Sequence, residues 1–301
     1  MTTLAELTPE QALRHLELLF TRRVDGVLQG DHRGLNTGPG TEPDRTRVYE
    51  PGSDDVRRID WNATARTTVP HVRLTEAERE LTTWIVLDAS ASMDFGTGRM
   101  EKRDLAVGAA AAVAFLTERS GNRIGAQITG PDGILRIPPR TGRRHLLSIL
   151  YAALDRPRVA AGPQRHSLGD TLRSLRSLRR RALVAVVSDF LEDGWERPLR
   201  AVARHHQVLA VETVDPRELE LPAVGLLTVV DPETGRRREV PTQARKLRER
   251  YANAALEQRA QIQQAIRSSG AAHLRLRTDR DWVRDVVRHL AEQRRRGGGA
   301  A

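Results

Sequence analysis

The sequence contains no cysteine, so disulfides, thiolate metal sites and cysteine nucleophiles are excluded. Aromatic residues make up only 4%; a core must be assembled mainly from Leu, Val, Ala and Ile. Long apolar runs are missing as well. The longest, Ala106 to Leu116, is too short and too rich in Ala to cross a bilayer. Met1 to Leu19 shows no basic-then-apolar leader, because Glu6, Glu10 and Arg14 interrupt it. These absences lead us to expect a cytoplasmic protein without a membrane span.

What is present is enough for a folded protein. The 301 residues suit one large domain, or a medium domain with a smaller one. Hydrophobic residues reach 39% and charged residues 29%, and the net charge is +10 with a pI near 11. Such a basic excess can serve nucleic acid, an anionic membrane face or an acidic partner. Here Arg greatly outnumbers Lys and is dispersed rather than striped. We therefore favour a compositional origin, and keep nucleic-acid binding through a basic surface as the alternative.

Periodicity divides the chain. Residues 8–28 read as an amphipathic helix through Leu13, Leu16, Leu19 and Phe20, with Thr8 as cap. Residues 29–56 carry Gly, Pro, Asp and Thr without a period and read as a long loop. Residues 69–80 read as an edge strand through His71, Val72 and Arg73. From Leu81 the texture changes. Thr83 to Leu87 and Ala182 to Ser188 are short apolar runs of the kind buried on both faces of a sheet. Further strands are expected over 123–129, 133–137, 208–214, 225–230 and 273–277. Helices are expected over 101–119, 143–155, 168–180, 195–204, 242–269 and 281–294. This alternation predicts an α/β fold: a doubly wound, mostly parallel, Rossmann-type sheet. We expect residues 1–80 to form a helix and extended segment packed on a main domain over 81–293, followed by a disordered Arg- and Gly-rich tail, 294–301.

In such folds ligands sit where loops leave the carboxyl ends of strands. There the chain reads Asp88-Ala89-Ser90-Ala91-Ser92 after one apolar strand and Ser188-Asp189 after the other. If the strands are neighbours, carboxylates and hydroxyls converge on one rim. These are hard oxygen donors, suited to Mg²⁺ or Mn²⁺. Asp and Ser after a strand also make turns and helix caps, so the placement matters more than the pattern.

The Asp-x-Ser-x-Ser run resembles the metal-ion-dependent adhesion site of von Willebrand factor A domains. The segment Arg47 to Arg66 resembles the signature of the family called domain of unknown function 58, bacterial proteins typically encoded beside MoxR-type AAA+ ATPases. The likeness continues through Asp88 to Gly96, Ser188-Asp189-Phe190 and Asp215-Pro216-Arg217-Glu218-Leu219. It implies a von Willebrand factor A-like fold with a metal site on Asp88, Ser90, Ser92 and Asp189. It also implies a protein-interaction role, with a MoxR-type ATPase as partner beside an unidentified client. The family's third loop adds a Thr. In this chain that stretch reads His166 to Thr171, and Ser167 is the expected stand-in. Within the upstream segment, charges of both signs surround Ile59 and Trp61; this reads either as a docking surface or, the reading we favour, as a salt-bridged clamp that pins the N-terminal region onto the sheet with Trp61 buried.

Enzymatic chemistry finds little support. A phosphatase using Asp88 would need a second carboxylate where Ser90 stands. Neither Ser90 nor Ser92 lies in a Gly-x-Ser-x-Gly elbow. Phosphate-loop and His-Glu-x-x-His motifs are absent. His205 and His206 are adjacent ahead of a strand, and such neighbours point to opposite faces.

Overall fold

A computed structural model describes residues 46–51, 56–73, 82–98, 100–118, 121–130, 133–158, 166–232 and 234–297. The expected helix at 8–28 lies outside them. The chain divides into two compact units, residues 31–80 and the remainder.

In the smaller unit β1 (Thr46–Val48) pairs antiparallel with β2 (His71–Arg73). The strand at 71–73 is therefore one half of a two-stranded ribbon. Between them α1 (Trp61–Thr67) begins at Asp60, whose Oδ1 accepts from Asn62 N at 3.0 Å and Ala63 N at 3.1 Å. Asp60 is thus an N-cap, satisfying two of the donors that a helix start leaves open. Trp61 is the first helical residue and is 70% exposed. The expected burial of Trp61 is corrected: the cap directs its indole outward, and Val72 is the buried apolar side chain among the described residues of this unit.

The larger unit is built on six strands. They are β3 (Thr82–Leu87), β4 (Arg123–Gly130), β5 (Gly133–Arg140), β6 (Ala182–Ser188), β7 (Gln207–Val214) and β10 (Ala272–Arg277), in the spatial order β10-β7-β6-β3-β4-β5. All neighbours are parallel except β5, which runs antiparallel to β4. β5 outlasts its expected end at Ile137 because it is an edge strand. Such a strand tolerates Pro138 and Pro139 at the irregularity where its register slips. A separate ribbon, β8 (Leu226–Val230) with β9 (Arg237–Pro241), precedes the longest helix. Its second strand, Arg-Arg-Glu-Val-Pro, shows no apolar alternation to betray it.

Six helices cover the sheet: α2 (Lys102–Glu118), α3 (Arg143–Leu154), α4 (Leu168–Ser174), α5 (Glu196–Ala203), α6 (Arg245–Ser268) and α7 (Trp282–Gly297). Successive residues of β3 face opposite sides. Ile85 and Leu87 pack with α2, α3 and α7; Trp84 and Val86 pack with α4, α5 and α6. That is why both apolar runs lack alternation. In α2 an added Cβ at Gly108 would lie 2.9 Å from the Trp282 ring, so this mid-helix glycine lets α7 approach closely. α4 is shorter than expected, ending in a 3-10 turn over Leu175–Ser177. α7 is longer, running into the stretch expected to be disordered. No helix among the described residues is long and apolar enough to cross a membrane.

Candidate metal centre

The chain leaves β3 for β4 on one side of the sheet, then returns to place β6 on the other side of β3. The strand order therefore reverses between β3 and β6, and the crevice at such a switch point is where open α/β sheets bind ligands. Leu87 is in register with Val187, and Asp88 N donates to Val187 O at 2.9 Å. Asp88 and Asp189 thus emerge from adjacent strands at the same end of the sheet.

The loop after β3 folds back on its own carboxylate. Asp88 Oδ1 accepts from Ser90 N at 2.9 Å, and Oδ2 accepts from Ser188 Oγ at 2.6 Å. A 3-10 turn over Ala91–Met93 then brings Ser92 Oγ within 3.1 Å of Ser90 Oγ. The loop after β6 is more strained. Phe190 takes φ 56°, a left-handed conformation costly for a bulky residue. Packing holds it there: Phe190 and Trp195 are both 2% exposed, their rings meet edge-on at 4.9 Å, and Trp195 Nε1 donates to Phe190 O. The turn leaves Asp189 Oδ1 accepting from Leu191 N at 3.1 Å.

The two carboxylates are electrostatically unequal. Asp88 is 5% exposed and, among the described residues, pairs with no cationic side chain. Burial and then repulsion from Asp189 push its carboxyl up, against the opposing hydrogen bonds from Ser188 and Ser90. Asp189 is 1% exposed. Burial would raise it too, but the Lys102 ammonium 2.7 Å from Oδ2 outweighs that, aided by Leu191 N–H and the Ser92 hydroxyl, and holds it below the usual carboxylate range.

Lys102 was not anticipated. It opens α2, is wholly buried, and bridges Asp189 to Glu218. Glu218 in turn receives Arg259 at 2.8 Å, and Arg259 also donates to Glu212 at 3.1 Å and to Asp189 O at 2.9 Å. His273 and Arg275 complete Glu212. One visible signal was the spacing Asp215-x-x-Glu218. It forms a capping box in which Glu218 accepts from Asp215 N. Asp215 itself is fully buried and accepts from Thr97 N, Thr97 Oγ1, Arg217 N and Thr278 Oγ1, tying the loop after β3 to the ends of β7 and β10.

Of the expected ligands, Asp88, Ser90, Ser92 and Asp189 come together. Ser167 is differently employed. Its hydroxyl donates to Asp170 Oδ2 and accepts from Asp170 N, both at 2.9 Å, in the capping box that starts α4. Leu168 N donates to Glu192 in the loop after β6, so α4 does begin at the same end of the sheet. No group of three or more His, Asp or Glu side chains among the described residues is arranged as a metal cage. The donor set still fits a hard cation. It offers a buried carboxylate lacking a cationic partner beside two adjacent hydroxyls, the type of site where Mg²⁺ keeps several of its waters. His205 is exposed while His206 is buried and accepts from Ala182 N, so the two part as expected.

Residues 45–261 match the family described as "Protein of unknown function DUF58". Uncharacterised proteins of Mycobacterium tuberculosis and Mycobacterium bovis are 51% identical over 286 residues, spanning 94% of this chain and 89% of theirs. Among solved structures, an aerotolerance-related membrane protein of Bacteroides fragilis is similar at TM-score 0.46 and 13% identity, over 70% of this chain and 97% of that one. BatB of Bacteroides thetaiotaomicron is similar at TM-score 0.44 and 12% identity, over 71% and 99%. With an Asp-x-Ser-x-Ser loop at the switch point of a mostly parallel sheet, the chain belongs to the DUF58 family and has a von Willebrand factor A-like fold.

Proposed function

We propose that the protein is a non-catalytic docking module whose rim holds Mg²⁺ or Mn²⁺ and receives a carboxylate from a partner protein. The observation that carries this reading is the convergence of Asp88, Ser90, Ser92 and Asp189 where β3 and β6 end. Asp88 would hold the cation with the Ser90 and Ser92 hydroxyls, and Asp189 would add a second negative charge. The metal supplies Lewis acidity toward an incoming Asp or Glu. The chain's own part is to keep the donors preorganised: Ser188 and Ser90 N–H orient Asp88, and the strained turn at Phe190 aims Asp189.

The partner we propose is a MoxR-type AAA+ ATPase, with the module acting as its adaptor toward a client during assembly or maturation. The test is capture of the cognate ATPase by wild-type and Asp88→Ala protein, each with Mg²⁺ or with excess EDTA. Capture should depend on both the carboxylate and the metal. Equal capture in all four conditions would refute the metal-rim mode. Nucleic-acid binding gains no support from the cationic cleft between β10 and α7, because Arg275, Arg277 and Arg288 there face Glu212, Asp279 and Asp285.

A further inference from the structure

Lys102 is one of only two lysines in a chain that otherwise uses arginine for its basic residues. It sits at the first residue of α2, 0% exposed, with its ammonium 2.7 Å from Asp189 Oδ2 and in contact with Glu218 Oε1. A buried ammonium is costly unless paired, and here it is paired twice.

The charges around the rim can be counted. Asp88, Asp189 and Glu218 are opposed by Lys102 and Arg259, and Glu212 is matched by Arg275. Within this ion-paired set one negative charge is left over, on Asp88, while the buried Asp215 is satisfied separately by Thr97, the Arg217 N–H and Thr278. A divalent cation bound there would overshoot by one positive charge, and a single carboxylate from outside would restore balance. Without Lys102 the same cation would be neutralised by the protein alone, with no electrostatic call for a further ligand.

We propose that Lys102 is a tethered internal cation that pre-neutralises Asp189, weakening divalent-metal binding at the rim while strengthening the metal-loaded rim's hold on an anionic, carboxylate-bearing partner. The proposal rests on the metal reading above and names what that reading lacks: the residue that sets the site's charge. Glu218 and Arg259 are positioning residues for it, acting through the Lys102 ammonium.

Mn²⁺ binding followed by the loss of the free-ion electron paramagnetic resonance signal tests this on the full chain. Lys102→Gln keeps a hydrogen-bonding side chain and removes the charge. It should tighten Mn²⁺ by ~10-fold or more, since a unit charge within a few ångströms outweighs solvent screening at a buried site. Glu218→Gln leaves the ammonium on Asp189 and removes its second counter-charge. It should weaken Mn²⁺ by a comparable factor, and keeps the proposal testable if Lys102→Gln does not fold. Acetate, as the simplest carboxylate probe, should bind the Mn²⁺-loaded wild type more tightly than loaded Lys102→Gln. Lys102→Gln binding Mn²⁺ no tighter than wild type, or Glu218→Gln binding it no more weakly, overturns the role of Lys102 alone. Wild type and Asp88→Ala binding Mn²⁺ alike overturns the metal reading beneath it.

Discussion

Asp104 sits in the first turn of α2, 6% exposed, and its Oδ2 finds no hydrogen-bond partner. Burial and then the neighbouring Glu101 push its carboxyl up to about 6 from an ordinary value of 3.8. The sign of the consequence is fixed by linkage. Between those two values the folded state keeps a proton that the unfolded state has lost, so stability falls as pH rises through the window and stays low above it. Asp104→Asn removes the penalty. Urea unfolding should find the variant more stable than wild type at pH 7, by up to ~3 kcal/mol, because each pH unit between the two values is worth about 1.4 kcal/mol. Below the ordinary value the two proteins should be equally stable. A variant gain that is the same at both ends of the pH range would contradict this account. The same physics divides what single residues revealed in the sequence. Asp88, Ser90, Ser92 and Asp189 were legible because each follows a run too apolar to be anything but a buried strand. Lys102 and Arg259 were not: both stand in charged helical stretches, Glu-Lys-Arg and Glu-Gln-Arg, that read as solvated surface. Only the packing of α2 and α6 reveals that these two side chains turn inward.

At the scale of elements, strands and helices of the main sheet were legible to within a few residues because their apolar positions face two cores at once. Errors collected where local chemistry overrides pattern. β5 continues through two prolines at an edge, β9 lacks apolar alternation, and α6 buries the charged Arg259 together with Ala255, Ile262 and Ile266. The Ser167 stretch is the element-level question with functional weight. Its hydroxyl and the Asp170 carboxylate close a reciprocal box over the open N–H groups of α4. Ser167→Ala should therefore cost about 1 kcal/mol, as lost caps do, and leave Mn²⁺ affinity within about twofold, since losing a cap removes no negative charge from the rim. A Mn²⁺ affinity lowered tenfold with stability unchanged would make the hydroxyl a ligand instead of a cap.

Across the whole molecule, one chain of charges, buried except at its outer end, runs from the rim to the edge strand: Lys102, Asp189, Glu218, Arg259, Glu212 and the exposed Arg275. It links α2, β6, α6, β7 and β10, and composition gave no hint of it, because a count of charges does not say which of them meet. Arg259 is its keystone, with one nitrogen on Glu212 and Asp189 O and the other on Glu218. Replacing a buried ion-pair network with apolar packing can be nearly neutral, but removing one member leaves its partners uncompensated. Arg259→Met strands Glu218 with Lys102 alone and Glu212 with His273 and Arg275. It should cost about 3–5 kcal/mol in urea unfolding. Arg259→Met combined with Glu212→Gln removes one of the stranded charges, so the double variant should lose clearly less than the sum of the single losses, a coupling of about 1 kcal/mol or more. If the two losses simply add, the charges act as separate pairs and the rim is not tied electrostatically to β10.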